Sequence, residues 1–374
     1  MKVGVPKENR RGERRVALVP DAVRRLTPHG LEIVIERGAG AGSGVSDAEY
    51  ESAGALLTSD PAEVWGADIV VKVDRPTDDE IALLRSGVIL VAMLRHLWER
   101  DLVERLARAG VSAFAMDWMP RSTRAQMMDA RSSMSTIQGY MAVILAAAAL
   151  PRMMPMLMTA AGTVMPAHVL VIGAGVAGLS AIATARRLGA SVEGFDVRPA
   201  TRQEVESVGA RFLAMDEKVE GGQDSQGYAL AQSDEGLALE RQTISRRLAQ
   251  ADVVITTALI PGREPPLLLT RDMMRTMRSG SVIVDLAAAF GGNCEATVAG
   301  EARVSDGVTV IGYTDLESRA AVHASQLYAR NVANYLLYLV KDGSVRLSLD
   351  DELIRFPLVT HAGQVTAEMP SGGA

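Results

Sequence analysis

The sequence feature that most constrains the fold is a glycine-rich turn between an apolar run and a helical segment. Residues 169–172 have the sequence Val-Leu-Val-Ile, and the six residues that follow match the pattern G-x-G-x-x-G. In this pattern Gly173 permits a tight turn, Gly175 lets the backbone approach a pyrophosphate, and Gly178 lets the helix pack closely on the strand. The pattern predicts a βαβ unit that holds a dinucleotide at the amino end of its helix.

An acidic residue stands where a dinucleotide-binding turn needs one. Asp196 follows the next predicted strand, residues 191–195, at about the 20-residue distance that the pattern requires. Its carboxylate is expected to accept hydrogen bonds from the adenosine ribose and to repel a 2′-phosphate, which favours NAD(H) over NADP(H). The nearby cation Arg198 weakens that preference. The alternative is a glycine-rich turn in a Rossmann-like domain that binds no ligand.

The alternation of apolar runs and amphipathic segments predicts an α/β fold, because strands separated by helices form parallel sheets. We predict strands at residues 2–5, 32–36, 69–73, 88–93, 113–115, 169–172, 191–195, 253–256, 282–285 and 309–312. The expected architecture is two Rossmann-like, doubly wound parallel-sheet domains with a nucleotide cleft between them. We predict that residues 1–135 and 322–368 form the first domain, residues 136–321 the second, and residues 369–374 a flexible tail.

Length and composition exclude several classes of protein. The 374 residues correspond to two domains of about 150 residues each, and a hydrophobic content of 48% excludes wholesale disorder. The net charge of −6 argues against a nucleic-acid partner, because nucleic-acid-binding domains usually carry a basic stripe. The single cysteine, Cys294, excludes a disulfide framework and a multi-cysteine zinc site. No histidine pair has metal-ligand spacing, so we expect no metal.

The hydropathy pattern predicts no membrane span. No run reaches the ~18 apolar residues that a spanning helix needs, and the nearest, residues 141–150, is typical of a buried helix. The chain starts directly with a predicted strand, so we expect no signal peptide. Residues 221–239 are rich in Gly, Gln, Ser and Asp without apolar periodicity, which predicts a long mobile loop.

A polar segment ahead of the predicted helix 136–150 carries the second group of candidate site residues. Arg121, Gln126, Asp129 and Ser132 lie within twelve residues of one another. A guanidinium, a carboxamide, a carboxylate and a hydroxyl together can hold a pyrophosphate or orient the carboxamide of a nicotinamide ring. A solvated charged loop would have the same composition. Neither a G-x-S-x-G elbow nor a Walker loop is present, so hydrolase and P-loop chemistry have no support.

Several stretches resemble the family of alanine dehydrogenases and NAD(P) transhydrogenases. The shared stretches are residues 3–8 (Val-Gly-Val-Pro-Lys-Glu), residues 12–17 (Gly-Glu-Arg-Arg-Val-Ala), Lys72, and residues 285–294 with their Gly-Gly pair. Residues 120–133, 158–163 and 256–262 are more similar to the NAD(H)-binding alpha component of proton-translocating transhydrogenase. Together these stretches span nearly the whole chain.

The sequence departs from alanine dehydrogenases where those enzymes move protons. Their catalytic histidine aligns with Arg95, one residue before His96, and their catalytic aspartate aligns with Ala289. Without these groups, reductive amination lacks its acid–base pair. Transhydrogenases pass a hydride directly between two nicotinamides, so positioning is the main catalytic task.

The resemblance to transhydrogenases implies a role for each candidate residue. It implies that the nicotinamide ring is positioned by Arg121, Gln126, Asp129 and Ser132. It places Gly173, Ala174, Gly175, Val176 and Gly178 at the pyrophosphate, Asp196, Val197 and Arg198 at the adenosine ribose, Gly227 and Tyr228 at the tip of a mobile loop that closes over the nucleotide, and Leu259 at the adenine side.

The resemblance also implies a setting. It implies NAD as cofactor, a homodimer, membrane-spanning and NADP(H)-binding partner subunits, and a cytoplasmic location on the inner face of the plasma (inner) membrane. Two alternatives stay open. One is a stand-alone alanine-type dehydrogenase with Arg15, Lys72 and His96 around a small oxo acid; the other is a non-catalytic NAD(H)-sensing module.

Overall fold

The structure is a computed structural model that describes residues 1–215, 233–341 and 343–367. The strands in chain order are β1 (Lys2–Val5), β2 (Glu32–Glu36), β3 (Leu56–Thr58), β4 (Ile69–Asp74), β5 (Ile89–Met93), β6 (Ser112–Ala115), β7 (Leu157–Thr159), β8 (Gly162–Val164), β9 (His168–Ile172), β10 (Ser191–Phe195), β11 (Arg211–Leu213), β12 (Val253–Thr256), β13 (Val282–Asp285), β14 (Ala302–Ser305), β15 (Val308–Ile311), β16 (Val340–Lys341), β17 (Ser344–Val345), β18 (Leu358–His361) and β19 (Gln364–Val365).

The helices are numbered in the same way. They are α1 (Pro20–Leu26), α2 (Asp47–Ser52), α3 (Pro61–Trp65), α4 (Asp78–Leu83), α5 (Arg100–Arg108), α6 (Ala130–Ala149), α7 (Val176–Arg187), α8 (Thr201–Ser207), α9 (Asp234–Leu248), α10 (Arg271–Met274), α11 (Ala321–Leu339) and α12 (Glu352–Arg355). The chain divides into two compact units. Unit 1 comprises Met1–Met134 and the described residues of Glu317–Ala374, and unit 2 comprises Ser135–Leu316.

Unit 1 is built on a mixed sheet with the strand order β19-β18-β6-β5-β4-β1-β2-β3. The strands from β3 to β6 pair in parallel, whereas β18 pairs antiparallel with both β6 and β19. The expectation of a purely parallel sheet is therefore wrong at this edge. The antiparallel pairs come from short C-terminal strands, and their sequence carries no strong apolar run.

The central strands of unit 1 form because continuous apolar runs can be buried on both faces. Every residue of β4 and β5 is buried. On one face, Val70 and Leu90 pack with Leu102 and Leu106 of α5, whose opposite side carries exposed charges such as Glu104. Alternation of side chains along the strands and the amphipathic crossover helix together make this layer.

Unit 2 is built on a sheet with the order β11-β10-β9-β12-β13-β15-β14. All pairs are parallel except β14 with β15. Counted without β14, the six parallel strands have the order 3-2-1-4-5-6 that is typical of Rossmann folds. The chain leaves β9 toward β10 on one side, and β12 lies on the other side, so the loop after β9 stands at the switch point where ligands bind.

The two faces of the unit 2 sheet bury alternate residues of the same strands. Val169 and Val171 face one core, which includes Ile182 of α7. Leu170 and Ile172 face the other core, which includes Ile244 of α9. Helices thus cover both faces, as the continuous apolar runs predicted.

Helix α9 corrects the prediction of a loop over residues 221–239. The helix starts at Asp234, because the Ser233 side chain accepts a hydrogen bond from Gly236 N and two acidic residues occupy the first turn. Residues 221–232, including Gly227 and Tyr228, lie outside the described residues, as does the predicted tail 369–374.

Candidate functional site

The glycine turn after β9 has the geometry that its sequence predicts. Gly173 has φ +97°, a left-handed value that favours glycine, and its carbonyl accepts a hydrogen bond from Thr257 Oγ1 at 3.0 Å. A Cβ atom on Gly178 would lie 1.8 Å from the Gly173 carbonyl oxygen. No described residue places a heavy atom within 4 Å of a Cβ on Gly175. The turn is therefore tight on its inner side and open at Gly175.

Helix α7 starts directly at this turn. Gly175 is its N-cap and Val176 its first residue, so the helix directs free backbone N–H groups at the space beside Gly175. Helix α6 packs closely on this end, since a Cβ on Gly139 would lie 2.0 Å from the Ala177 carbonyl oxygen. The open side of the turn can accept an anionic group such as a pyrophosphate.

Asp196 joins the glycine turn to Arg198. Its Oδ2 accepts a hydrogen bond from Ala174 N at 2.7 Å, and its two oxygens accept from Nε and Nη2 of Arg198 at 2.9 and 2.8 Å. The bonded carboxylate raises the pKa of the Arg198 guanidinium. The cation that weakened the predicted preference for NAD(H) is thus engaged by Asp196, and Val197 lies between the two.

A second carboxyl group, Glu240 of α9, faces the same region and was missed from the sequence. Glu240 is 4% exposed, and its Oε1 has no hydrogen-bond partner among the described residues. Burial raises its pKa to about 7, and the negative charge of Asp196 contributes to this rise. Its spacing from Leu237 and Ile244 on one helix face was the available signal, but the loop prediction covered the start of that helix.

Two buried polar residues hold the loop that carries Leu259. The Asn293 carboxamide donates to the carbonyls of Ala258 and Pro266, both at 2.9 Å, and accepts from Ala258 N at 3.1 Å. Asp285 accepts from Asn293 N at 2.8 Å. The Gly-Gly-Asn sequence before Cys294 was the only hint of this support, and the bonds themselves join distant segments.

The polar segment of unit 1 is partly a loop and partly a helix start. Asp129 precedes α6, and its carboxylate accepts hydrogen bonds from Ser132 N at 2.9 Å and from Ser132 Oγ at 2.5 Å. Asp129 and Ser132 are therefore brought together as a helix cap. Arg121 and Gln126 are exposed side chains on the loop before them, and Gln126 begins a 3₁₀ turn, Gln126–Met128.

The cations expected around a small oxo acid are already paired. Lys72 Nζ lies 2.9 Å from Glu80 Oε1 and 3.3 Å from Glu8 Oε2, all three side chains being buried. Burial alone would lower the pKa of Lys72, but the two carboxylates raise it. Arg15 Nε donates to Glu13 at 2.8 Å. Internal carboxylates thus satisfy both cations.

The position of His96 does not supply the missing acid–base group. The ring is 1% exposed and packs edge-on against Trp118, with 5.5 Å between ring centroids. Burial lowers the pKa of His96, which makes the ring neutral at physiological pH. Ala289, in the 3₁₀ turn Ala288–Phe290, has no ionisable group at all.

The described ranges of the chain contain neither a metal-binding cluster nor a membrane span. Within residues 1–215, 233–341 and 343–367, no group of three or more His, Cys, Asp or Glu side chains has a geometry for a metal ion. In the same ranges, every helix is too short or too polar to cross a bilayer.

Comparison with known proteins gives consistent matches. The family model described as the N-terminal domain of alanine dehydrogenase/PNT matches residues 4–138, and the model of the C-terminal domain matches residues 142–368. The first of the parts that make up the NAD(P) transhydrogenase alpha subunit of Rhodospirillum rubrum is 44% identical, over 98% of this chain and 97% of that protein. Alanine dehydrogenase of Bacillus subtilis is 30% identical, over 98% of this chain and 93% of that protein.

A solved structure agrees with these sequence matches. The crystal structure of transhydrogenase from Sinorhizobium meliloti is 42% identical and superposes with a TM-score of 0.85. The match covers 98% of each chain. The α/β fold with two mostly parallel sheets is therefore shared along the whole length.

Proposed function

The chain belongs to the alanine dehydrogenase/PNT family, and from this premise we propose that it is the NAD(H)-binding component of a proton-translocating transhydrogenase. It passes hydride between NAD(H) and NADP(H) held by a partner subunit. The observation that carries the proposal is a complete dinucleotide turn in a chain whose candidate oxo-acid cations are already neutralised. Lys72 is paired with Glu8 and Glu80, so its charge is balanced without a substrate carboxylate.

The nucleotide-binding half of the proposal rests on unit 2. Backbone N–H groups of Ala174, Gly175 and Val176 at the start of α7 bind the pyrophosphate. Asp196 accepts a ribose hydroxyl, and its negative charge disfavours a 2′-phosphate, so NAD(H) is selected over NADP(H). Leu259 contacts the adenine side, on a loop that Asn293 fixes.

The nicotinamide half of the proposal rests on unit 1. Arg121, Gln126, Asp129 and Ser132 orient the ring and its carboxamide. The nicotinamide supplies or accepts the hydride, so no protein group has to move a proton at the reacting carbon. Positioning then sets the rate, because a displacement of ~1 Å at the reacting centre can slow a reaction ~100-fold.

The partner subunits are proposed from the names of the relatives. The name of the Rhodospirillum rubrum protein describes it as the first portion of an alpha subunit, which supports a division of the enzyme among several polypeptides. We infer that other chains supply the membrane spans and the NADP(H) site. This chain then acts on the cytoplasmic face of the plasma (inner) membrane, bound to those partners.

An exposed hairpin supports the proposal of a homodimer. Strands β7 and β8 pair antiparallel, and every residue of both strands is exposed, including Leu157 and Val164. Met158 is 75% exposed, and Met165 extends the apolar surface. A second copy of the chain would cover this surface. Met158→Glu is expected to shift the protein from dimer to monomer in analytical ultracentrifugation, whereas an unchanged dimer would exclude the hairpin.

The decisive experiment compares two reaction mixtures. In the first, the purified chain is mixed with NADH, pyruvate and ammonium. In the second, it is mixed with NADH, the NADP(H)-binding domain of a transhydrogenase and an oxidised NADP analogue. Absorbance then reports turnover in each mixture, and the NADP(H)-binding domain alone is the control.

Each outcome separates one function from the others. Turnover in the second mixture only supports the transhydrogenase proposal. Turnover in the first mixture would instead identify a stand-alone amino-acid dehydrogenase. NADH binding without turnover in either mixture would identify a non-catalytic sensing module.

A further inference from the structure

The loop of residues 120–129 in unit 1 is fastened to helix α11 through one backbone carbonyl. The carbonyl oxygen of Met127 accepts a hydrogen bond from Asn331 Nδ2 at 2.9 Å and another from Asn334 Nδ2 at 2.9 Å. Residues three apart on a helix share a face, so both carboxamides reach the same oxygen. The two bonds use both lone pairs of that carbonyl.

Side-chain bonds are the main restraint available to this stretch of the loop. Its regular structure is limited, within the described residues, to the 3₁₀ turn Gln126–Met128. The Met127 side chain is 65% exposed, so apolar packing does not hold it, although Met128 is buried. The doubly bonded carbonyl therefore fixes the backbone directly between Gln126 and Asp129.

A second attachment holds the loop a few residues earlier. Arg124 Nη2 donates to the Tyr338 hydroxyl at 2.9 Å and lies 3.7 Å from Asp351 Oδ1. Asp351 also accepts a hydrogen bond from Tyr338 and caps α12. Ser122 donates to Glu352 at 3.0 Å. These partners are more exposed, so the pair of asparagines is the better shielded of the two attachments.

We infer that Asn331 and Asn334 are positioning residues for hydride transfer. They do not touch the nucleotide; they hold the Met127 carbonyl and thereby fix the side chains of Gln126 and Asp129 on either side of it. This inference rests on the proposed function, in which those two side chains orient the nicotinamide. It assigns to α11 a task that no motif in the sequence indicates.

The test uses Asn334, because its side chain is only half-buried and its replacement leaves the core intact. Asn334→Asp keeps the shape but exchanges the N–H donor for a carboxylate that repels the Met127 carbonyl. Asn334→Gln restores a donor. Gln326→Ala removes an exposed carboxamide from the same helix and is the matched control. Transfer is measured in a stopped-flow instrument at saturating NADH, with the NADP(H)-binding domain and an oxidised NADP analogue.

We expect Asn334→Asp to slow hydride transfer within the bound complex by about 10- to 100-fold, the range that a shift of up to ~1 Å produces. NADH affinity in calorimetry and the midpoint of thermal unfolding stay near those of the wild type. Asn334→Gln recovers some of the lost rate, and Gln326→Ala equals the wild type.

Two results would overturn the inference. One is an unchanged transfer rate in Asn334→Asp, and the other is a loss of rate matched by an equal loss of NADH affinity or stability. A wild-type protein that transfers no hydride would contradict the proposed function itself, which is a different result from a variant that equals an active wild type.

Discussion

Replacing Glu240 with glutamine should change how the stability of the protein depends on pH. Glu240 is buried, and its pKa is raised from 4.5 to about 7. The folded chain therefore binds this proton more tightly than the unfolded chain. The stability gained by the protonated group is fully present below about pH 4.5 and is lost as the pH rises through about 7.

The structure sets the size of this effect. One pKa unit corresponds to about 1.4 kcal/mol, so ionisation of Glu240 costs the folded state about 3 kcal/mol at high pH. The glutamine side chain of the variant stays neutral at every pH and carries no such cost. We expect the two proteins to have nearly equal free energies of unfolding at about pH 5, and the variant to be more stable by up to about 3 kcal/mol at about pH 8.

Urea unfolding at the two pH values measures this difference. Groups common to both proteins cancel in the comparison, including Glu8, whose pKa burial raises to about 7, and Glu13, whose pKa Arg15 lowers to about 2 despite burial. Glu235→Gln, on the exposed side of the same helix, is the matched control and should follow the wild type. Parallel pH profiles for wild type and Glu240→Gln would refute the reasoning.

Four further substitutions have expected outcomes. Lys72→Met leaves two buried glutamates without their cation and should lower the free energy of unfolding by about 3–5 kcal/mol in urea; a loss below ~1 kcal/mol would contradict the pairing. Gly178→Ala places a Cβ against the Gly173 carbonyl, so calorimetry should show weaker NADH binding and a loss of about 1–3 kcal/mol in stability, and unchanged binding would count against the turn. Asp129→Asn should slow hydride transfer in the bound complex more than it weakens NADH binding, and equal losses would exclude a positioning role. Asp196→Ala frees its guanidinium partner and should reduce the preference for NADH over NADPH in competition binding, whereas a preserved preference would place selectivity elsewhere.

The central strands could be predicted from sequence because their burial is written in uninterrupted apolar runs. Strands β4, β9 and β12 are examples, each buried along nearly its whole length. Edge strands lack this signal. Every residue of β14 is exposed or half-buried, and β18 is defined by its antiparallel pairing with β6, far away in the sequence.

The candidate site shows the same division. Asp196 was predictable because its distance from the glycine turn is fixed by one strand–helix–strand unit. Glu240 was not, because its environment depends on packing between α9 and a distant strand end. The asparagines of α11 contact a loop about 200 residues earlier in the chain, and no local pattern predicts such a bond.

The most direct test of the central claim follows the fate of a labelled hydrogen. NADH carrying deuterium at the transferred C4 position is incubated in ordinary water with this chain, the NADP(H)-binding domain of a transhydrogenase and oxidised NADP. Mass spectrometry of the product is expected to show one deuterium in each NADPH formed, because the hydride moves directly between the two nicotinamides. NADPH that carries hydrogen from water instead, or no NADPH at all, would contradict the account.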